Sequence, residues 1–400
     1  MPSGSMATEI FDGADVSAVK IIDSIIEEAH KLRASDIHID PQNENIRVRY
    51  RVDGYLEDYY FLPRQKQEEI ISRVKILAGL RTDEHQIPQD GRFRILAKDC
   101  PVDVRVSVAP TYHGENAVLR LLSDNAEGFN LETIGFSKEN NAKIQSAAKK
   151  SHGMILATGP TGSGKTTTLY ALLKQLNTKE VSVVTIEDPV EYSISGIRQI
   201  QTNSRGGLTF ASGLRGILRQ DPNIIMVGEI RDSETAGIAV NAALTGHLLL
   251  STLHTNDAAT ALPRLLDMKA ESYLIASTVN IIIAQRLVRK ICPRCKTEKI
   301  ISRAEADNLN LLFPKKIFAG QKFFYGRGCS QCNESGYSGR TGIHEVLILD
   351  SEIREAILRR ESSAVLKRIA VAHGMMPMIE DGFIKVQSGI TTIEEILRIK

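Results

Sequence analysis

The sequence predicts an α/β protein of two domains, a small α/β domain followed by a larger one built on a parallel sheet. From residue 137 onward, short apolar runs alternate with helical segments, as in "GMILAT", "VSVVTIED", "IIMVGE" and "LLLSTLH". This alternation is typical of a largely parallel sheet covered by helices. Beyond about Ala284 the chain changes to two cysteine pairs and further helices. We therefore place the second domain at 137–400, with a cysteine module at 290–340.

The first domain is predicted at residues 15–122. Apolar residues recur at helical spacing over Val16 to Leu32, and they alternate in period two over "SDIHID", "IRVRYRV", "PVDVRVSV" and "AVLRLL". These patterns predict one amphipathic helix and several half-buried strands, with a second helix over Pro63 to Leu80. The polar stretch 123–136 is predicted to be a linker. Residues 1–14, which include "GSM", resemble an expression tag.

The overall charge is close to neutral, which narrows the class of partner. Lys plus Arg number 50 and Asp plus Glu 48, which gives a net charge of +2. A protein that binds nucleic acid, or that is tethered to a membrane by a polybasic segment, carries a larger excess of basic residues. We therefore expect neither a nucleic-acid partner nor direct membrane insertion. No run approaches the roughly 18 apolar residues of a spanning helix, and no signal peptide is visible. We expect a cytoplasmic protein whose cysteines are reduced.

The stretch "GPTGSGKT" fits the phosphate-binding loop pattern Gly-x4-Gly-Lys-Thr. An apolar strand leads into it and a helix leads out, which is the context that the pattern requires. Glycines let backbone N–H groups turn inward around phosphate oxygens, and the helix N-terminus adds positive charge. Lys165 is expected to reach the β- and γ-phosphates and Thr166 to bind Mg²⁺. The predicted nucleotide contacts are Gly159, Pro160, Thr161, Gly162, Ser163, Gly164, Lys165, Thr166 and Thr167.

Two acidic stretches accompany this loop. "IIMVGEIRD" ends its apolar run in Gly228 and Glu229, where an aspartate that helps to hold magnesium usually precedes the glutamate. "TIEDPVEY" supplies Glu187 at the end of a neighbouring strand. Carboxylates at strand ends of such a sheet point into the ligand crevice. Two alternatives stay open, a strand that merely ends in a capping carboxylate and an acidic loop that is simply solvated.

The stretch "TGHLLLSTLHTN" contributes His247 and His254 on either side of an apolar strand. A hydrogen bond that senses phosphate is the favoured role, and a structural histidine is the alternative. Metal binding is disfavoured because no cysteine is near.

Four of the five cysteines form two C-x2-C pairs, Cys292 with Cys295 and Cys329 with Cys332. Two such knuckles in a reducing compartment predict a tetrahedral Zn²⁺ site, with unpaired thiols as the alternative. Four thiolates close the coordination shell, so the zinc would be structural and would contribute to folding.

Together these stretches resemble the secretion ATPases of bacterial type II secretion and type IV pilus systems, from about residue 15 to 400. The resemblance rests on the phosphate loop, both acidic stretches, the histidine stretch and the cysteine module, with "SDIHIDP" and "PQDGRF" in the first domain. It implies a PAS-like first domain, a RecA-like second domain, and a homohexameric ring with ATP or ADP bound between the two domains. It also implies that Gly228 is a trait of the family and no sign of an inactive enzyme.

The resemblance further implies that arginines of the first domain reach the phosphates. Such arginines give charge-assisted contacts only when the domain closes, which would couple closure to hydrolysis. The matching residues are Arg105, Arg120 and Arg92. Glu229 is expected to position or activate water, with Glu187 as its partner near magnesium, and the sequence leaves these two roles exchangeable.

The predicted function is a Mg²⁺-dependent ATPase ring motor that moves an inner-membrane platform protein and thereby assembles a type IV pilus. By resemblance, the cysteine module favours assembly and secretion ATPases over retraction ATPases. A type II secretion ATPase that drives a pseudopilus shares every motif. A DNA-translocating ring ATPase, disfavoured by the charge, and a non-hydrolysing nucleotide switch, motivated by Gly228, are further alternatives.

Overall fold

The computed structural model describes residues 16–97, 100–122, 130–203, 206–311 and 318–399. The predicted tag at 1–14, and the predicted linker as far as residue 129, lie outside the described residues. The chain divides into two compact units, Met1–Glu127 and Gly128–Lys400. Helices and strands occur in both, which confirms the predicted α/β class.

In the first unit, helices pack on one face of an antiparallel sheet. The elements are α1 (Ala18–Lys31), β1 (Asp36–Pro41), β2 (Asn45–Val52), β3 (Tyr55–Pro63), α2 (Gln67–Ala78), β4 (Gln89–Ala97), β5 (Cys100–Thr111) and β6 (Gly114–Leu122). The order is β3-β2-β1-β6-β5-β4, and each neighbouring pair is antiparallel. Because side chains alternate along a strand, Val104 and Val106 join the core while Arg105 lies on the outer face.

The second unit alternates strands with helices along most of its length. Its elements are α3 (Leu131–Ile134), α4 (Lys138–Ala148), β7 (Gly153–Thr158), α5 (Lys165–Leu176), β8 (Val183–Glu187), β9 (Arg198–Gln201), α6 (Phe210–Ile217), β10 (Ile224–Val227), α7 (Ser233–Leu244), β11 (Leu248–Leu253), α8 (Ala261–Asp267), α9 (Ser272–Thr278), β12 (Val279–Ile291), β13 (Lys296–Ile300), α10 (Arg303–Asn310), β14 (Lys322–Gly326), β15 (Tyr337–Ile348), α11 (Ser351–Leu358), α12 (Ser363–Ala372), α13 (Met378–Gln387) and α14 (Ile393–Arg398).

The main sheet of this unit has the order β15-β12-β7-β11-β10-β8-β9. Its described neighbours pair in parallel, except that β15 is antiparallel to β12. Met154 and Leu156 of β7 enter the core on one face, whereas Ile155 and Ala157 enter it on the other. Burial on both faces explains why these strands read as uninterrupted apolar runs. The carboxyl ends of β7, β11, β10 and β8 meet at one edge of the sheet.

Two smaller features complete the second unit. The described end of the predicted linker contains α3, whose Leu131 and Ile134 are buried in this unit's core. β13 and β14 pair as a separate antiparallel ribbon beside the cysteine module. In the described ranges, no helix has the length and apolar character needed to cross a bilayer.

Candidate active site

The predicted phosphate loop joins the carboxyl end of β7 to the start of α5. Lys165 opens the helix, and its Nζ donates to the carbonyl oxygens of Gly159 at 2.8 Å and Pro160 at 3.1 Å. Gly159 has φ 145°, and a Cβ there would collide with the carbonyl oxygen of Gln285, so the turn requires glycine. The lysine ammonium is thus held within the loop.

The donor set of this loop fits a phosphate ligand and its cation. The first turn of α5 presents backbone N–H groups without intrahelical partners, at the positive end of the helix dipole. Within the described ranges, Ser163 Oγ is buried and has no hydrogen-bond partner. Thr166 lies half-buried in the first turn. N–H donors suit the phosphate oxygens, and hydroxyl oxygens suit a hard cation such as Mg²⁺.

Glu229 follows β10 at the same edge of the sheet, and His254 follows β11. These strands are parallel neighbours with Val227 opposite Ser251, so the segments beyond them meet. His254 Nε2 lies 3.0 Å from Glu229 Oε2, and Arg231 also forms an ion pair with this carboxylate. Glu229 is 9% exposed, so its carboxylate is largely buried between these two partners.

Lys165 and Glu229 interact electrostatically. Burial lowers the pKa of Lys165, and the negative charge of Glu229 opposes that shift. A buried ammonium has lost part of its hydration, so an anionic ligand in the loop would restore stabilisation to it. The structure therefore brings the phosphate loop, Glu229 and His254 to one place.

The glycine that replaces the usual aspartate has a steric reason. A Cβ at Gly228 would lie 3.3 Å from Cα of Glu187 and 3.3 Å from the carbonyl oxygen of Ile186, both of them backbone atoms of the neighbouring strand. The Gly228 N–H donates to the same Ile186 oxygen at 2.8 Å. Close approach of β10 and β8 thus leaves little room for a side chain here.

Glu187, at the end of β8, is 2% exposed. Its carboxylate accepts hydrogen bonds from the hydroxyl of Tyr170, from Thr185 Oγ1 at 2.5 Å and from Gln199 Nε2 at 3.2 Å. Burial raises the pKa of Glu187, and these donors oppose the rise. Since Tyr170 belongs to α5, this carboxylate ties the helix that follows the phosphate loop to β8 and β9.

His247 lies away from these residues. It precedes β11, and its carbonyl oxygen accepts from the N–H of Gly153, the first residue of β7. Its Nδ1 is 2.9 Å from the carbonyl oxygen of Ala242. His247 is therefore at the amino edge of the sheet, opposite the edge that carries the phosphate loop. Of the two predicted histidines, only His254 belongs to the site of this unit.

The three predicted arginines form one row across the first unit's sheet. Arg92 on β4 is paired with Arg105 on β5, and Arg105 is paired with Arg120 on β6. Arg120 Nε is 3.0 Å from Asp36 Oδ1 on β1. The row places three guanidinium groups side by side on the outer face of the sheet, next to the carboxylates of Asp36 and Asp103.

The four predicted cysteines converge. Their sulfurs lie within 4.8 Å of one another, with Sγ separations of 3.9 Å for Cys292–Cys329, 3.8 Å for Cys295–Cys332 and 3.6 Å for Cys329–Cys332. A tetrahedral zinc site with Zn–S bonds of about 2.3 Å places its sulfurs about 3.8 Å apart. A disulfide would need about 2.05 Å. The spacing fits a four-thiolate metal centre.

Comparison with known proteins shows where this combination occurs. The sequence profile of a family described as "Type II/IV secretion system protein" matches residues 13–398. This chain belongs to that family. The resemblance inferred from its motifs is confirmed, and the chain is an ATPase of the type II/IV secretion group.

The relatives are similar over nearly the whole chain. Type II secretion system protein E of Dickeya dadantii is 44% identical over 98% of this chain and 77% of its own length. Type IV pilus assembly ATPase PilB of Thermus thermophilus is 46% identical over 95% of this chain and 43% of its own length. Among solved structures, the ADP-bound pilus retraction motor PilT has a TM-score of 0.64 at 25% identity, covering 95% of this chain and 96% of that one. The Legionella pneumophila ATPase DotB shares the fold, with a TM-score of 0.70, 24% identity and 97% of each chain covered.

Sequence reasoning missed three residues of the site. Arg231 pairs with Glu229, Tyr170 binds Glu187, and Gln285 donates to the phosphate loop. Only Gln285 carried a signal, since it is a polar residue inside the apolar run of β12. The other two are ordinary residues of a loop and a helix, whose partners depend on strand order.

Proposed function

We propose that this chain binds ATP at residues 159–167 and that Glu229 positions or activates the attacking water. The observation that carries this proposal is the largely buried Glu229 carboxylate, held by His254 at 3.0 Å beside the phosphate loop. Its two partners, His254 on Oε2 and Arg231 on Oε1, fix the orientation of this carboxylate. Glu187 is the weaker candidate for this role, because it is 2% exposed with three donors on its carboxylate, whereas Glu229 is 9% exposed with two partners.

The other residues of the loop hold the phosphates. The ammonium of Lys165 and the N–H groups of the first turn of α5 would bind phosphate oxygens. Thr166, with Glu187 as a nearby carboxylate, would hold Mg²⁺, which when bound neutralises phosphate charge. His254 would orient Glu229 and respond to the γ-phosphate through the same hydrogen bond.

Arg105, Arg120 and Arg92 would complete the site when the first unit closes on bound nucleotide. We propose that the working form is a homohexameric ring in which each arginine row meets a γ-phosphate, so that hydrolysis releases the closed state. The four cysteines would hold a structural Zn²⁺. We propose that this motor is cytoplasmic and associates with the inner membrane through a platform protein.

The proposed output is assembly of a type IV pilus, with the platform protein as the moved partner. Type II secretion through a pseudopilus is the second candidate. Relatives named type II secretion system protein E, 44% and 46% identical to this chain, support it. Complementation of a deletion strain distinguishes the two, since pilus assembly predicts restored surface pili and type II secretion predicts restored export of folded proteins.

Two substitutions test the site itself. We expect Lys165→Ala and Glu229→Gln to reduce steady-state phosphate release at least about a hundredfold, because one removes the phosphate contact and the other the carboxylate that handles water. Glu180→Gln is the matched control, since this carboxylate is exposed on a loop. Unchanged turnover in either site variant would overturn the assignment. Stimulation by DNA would favour the DNA-translocating alternative, and nucleotide binding without turnover in the wild type would favour the switch.

A further inference from the structure

Gln285 lies in the middle of β12 and is completely buried. This strand is the parallel neighbour of β7, with Ala284 paired to Thr158, the last residue before the phosphate loop. The side chain of the next residue, Gln285, therefore starts beside the loop. An amide in such an apolar setting is costly unless both of its polar ends are bonded.

Both ends of the Gln285 carboxamide are bonded to the nucleotide site. Nε2 donates to the carbonyl oxygen of Ser163 at 2.7 Å, and Oε1 accepts from Thr168 Oγ1 at 2.8 Å. A carbonyl oxygen only accepts, so the nitrogen must face Ser163 and the amide has one orientation. Thr168 is also completely buried. One side chain thus joins the last turn of the loop to the first turn of α5.

The bond to Ser163 has a consequence for the next N–H group. In a trans peptide the C=O and the following N–H point in opposite directions. Holding the Ser163 carbonyl toward Gln285 therefore directs the Gly164 N–H away from Gln285. Inward-turned N–H groups are what a phosphate cradle consists of. The backbone carbonyl oxygen of Gln285 also lies close to Gly159, where it leaves no room for a Cβ, so β12 packs against the start of the loop as well.

We infer that Gln285 is a positioning residue for the phosphate loop, acting through Ser163 and Thr168 to keep the backbone N–H groups in the orientation that binds phosphate. This role rests on the proposed nucleotide site at residues 159–167. By this inference, a residue of β12, which lies outside every nucleotide motif of the chain, controls the affinity of the loop for phosphate. A buried glutamine that only fills the core would affect stability and leave affinity unchanged.

The control for Gln285→Met is a substitution of Asn280, a buried amide near the start of the same strand. Asn280 is 6% exposed, and its side chain bonds His152 and Lys150, away from the loop. We expect Gln285→Met to raise the Kd for ADP with Mg²⁺ and the KM for ATP by roughly tenfold, because the Ser163 carbonyl and Thr168 hydroxyl lose the partner that keeps the loop N–H groups turned toward phosphate. Asn280→Leu should lower the Tm and leave both constants unchanged.

A second variant keeps the inference testable if Gln285→Met does not fold. Thr168→Val removes one of the two bonds and should raise the Kd for ADP by a few-fold. Added to Gln285→Met, which already removes both bonds, it should raise the Kd no further. If Lys165→Ala loses affinity while Thr168→Val, and Gln285→Met where it folds, keep the wild-type affinity, the role of Gln285 is overturned and the proposed site is not. Unchanged affinity in Lys165→Ala would instead overturn the proposed site.

Discussion

Arg92 lies directly opposite Arg105 on neighbouring antiparallel strands. Arg105 in turn lies opposite Arg120, so three guanidinium groups occupy one row across β4, β5 and β6. Like charges at directly opposed positions destabilise a sheet. Asp36 pairs with Arg120 at the end of the row. Arg92 and Arg105 also act on Asp103 of β5, whose pKa they help to lower, so two carboxylates compensate part of the charge. The positive charge that remains in the row suits an anionic ligand.

Substitution of Arg105 tests this interpretation. We expect Arg105→Ala to lower ATP turnover of the assembled protein at least about tenfold, because transition-state charge on the phosphate loses a charge-assisted contact. Arg47→Ala is the control, because Arg47 pairs with Asp58 on the same sheet. Equal turnover in both variants would exclude Arg105 from catalysis.

Restoring the usual aspartate at Gly228 should impair this protein. Gly228→Asp places Cβ 3.3 Å from two backbone atoms of Glu187 and Ile186, which cannot move without separating β10 from β8. We expect unfolding to become easier by about 1–3 kcal/mol and turnover to fall. Thermal melts and phosphate release measure the two effects.

Gly237 provides the matched control for that substitution. It lies within α7, and a Cβ there would meet no atom within 4 Å. Gly237→Ala should stabilise the helix by about 0.5–1 kcal/mol. A Gly228→Asp variant as stable and active as the wild type would show that the spacing of β10 and β8 does not determine the residue.

The cysteine cluster predicts one bound zinc per chain. We expect Cys329→Ser to abolish zinc retention, measured by elemental analysis of protein purified without chelators, because the four sulfurs share one centre. Cys292 directly follows β12, so loss of the metal should also lower the Tm of the second unit by several degrees. Cys100→Ser, in the first unit, should retain the zinc. Zinc-free wild-type protein would contradict the prediction.

The sequence predicted the functional residues of this molecule better than it predicted which strands and side chains lie next to one another. Period-two and apolar patterns located β1, β2, β7 and β11, because burial on one or both faces leaves a local signature. The patterns do not predict β3, where Glu57 and Asp58 interrupt the apolar residues, or β4, which begins with four residues that are polar or glycine. His247 and His254 flank the same apolar run, so the sequence does not show which of them lies at the edge that carries the phosphate loop. That depends on the direction of β11 in the sheet. The bonds of Gln285 depend on β12 lying beside β7, a pairing of residues more than a hundred positions apart.

His344 on β15 is a buried histidine without a hydrogen bond from either ring nitrogen to any described residue. Its ring stacks on Phe136 with centroids 3.6 Å apart. Asp381 Oδ2 lies 3.8 Å from Nδ1 and instead binds Lys385 Nζ at 2.7 Å. Burial, with the charge of Lys385, holds the pKa of His344 well below its usual value.

This shift makes the second unit sensitive to acid. Below about pH 6.5 the unfolded chain protonates His344 and the folded chain does not, so stability falls as pH falls. His344→Phe keeps a ring against Phe136 and removes the titrating group. We expect the variant to lose less Tm than the wild type between about pH 7.5 and pH 5.5. His152→Gln, at an exposed position, should behave as the wild type. If the wild type, His344→Phe and His152→Gln lost the same Tm, the acid sensitivity would belong to other groups, because only the His344→Phe variant lacks the buried neutral His344.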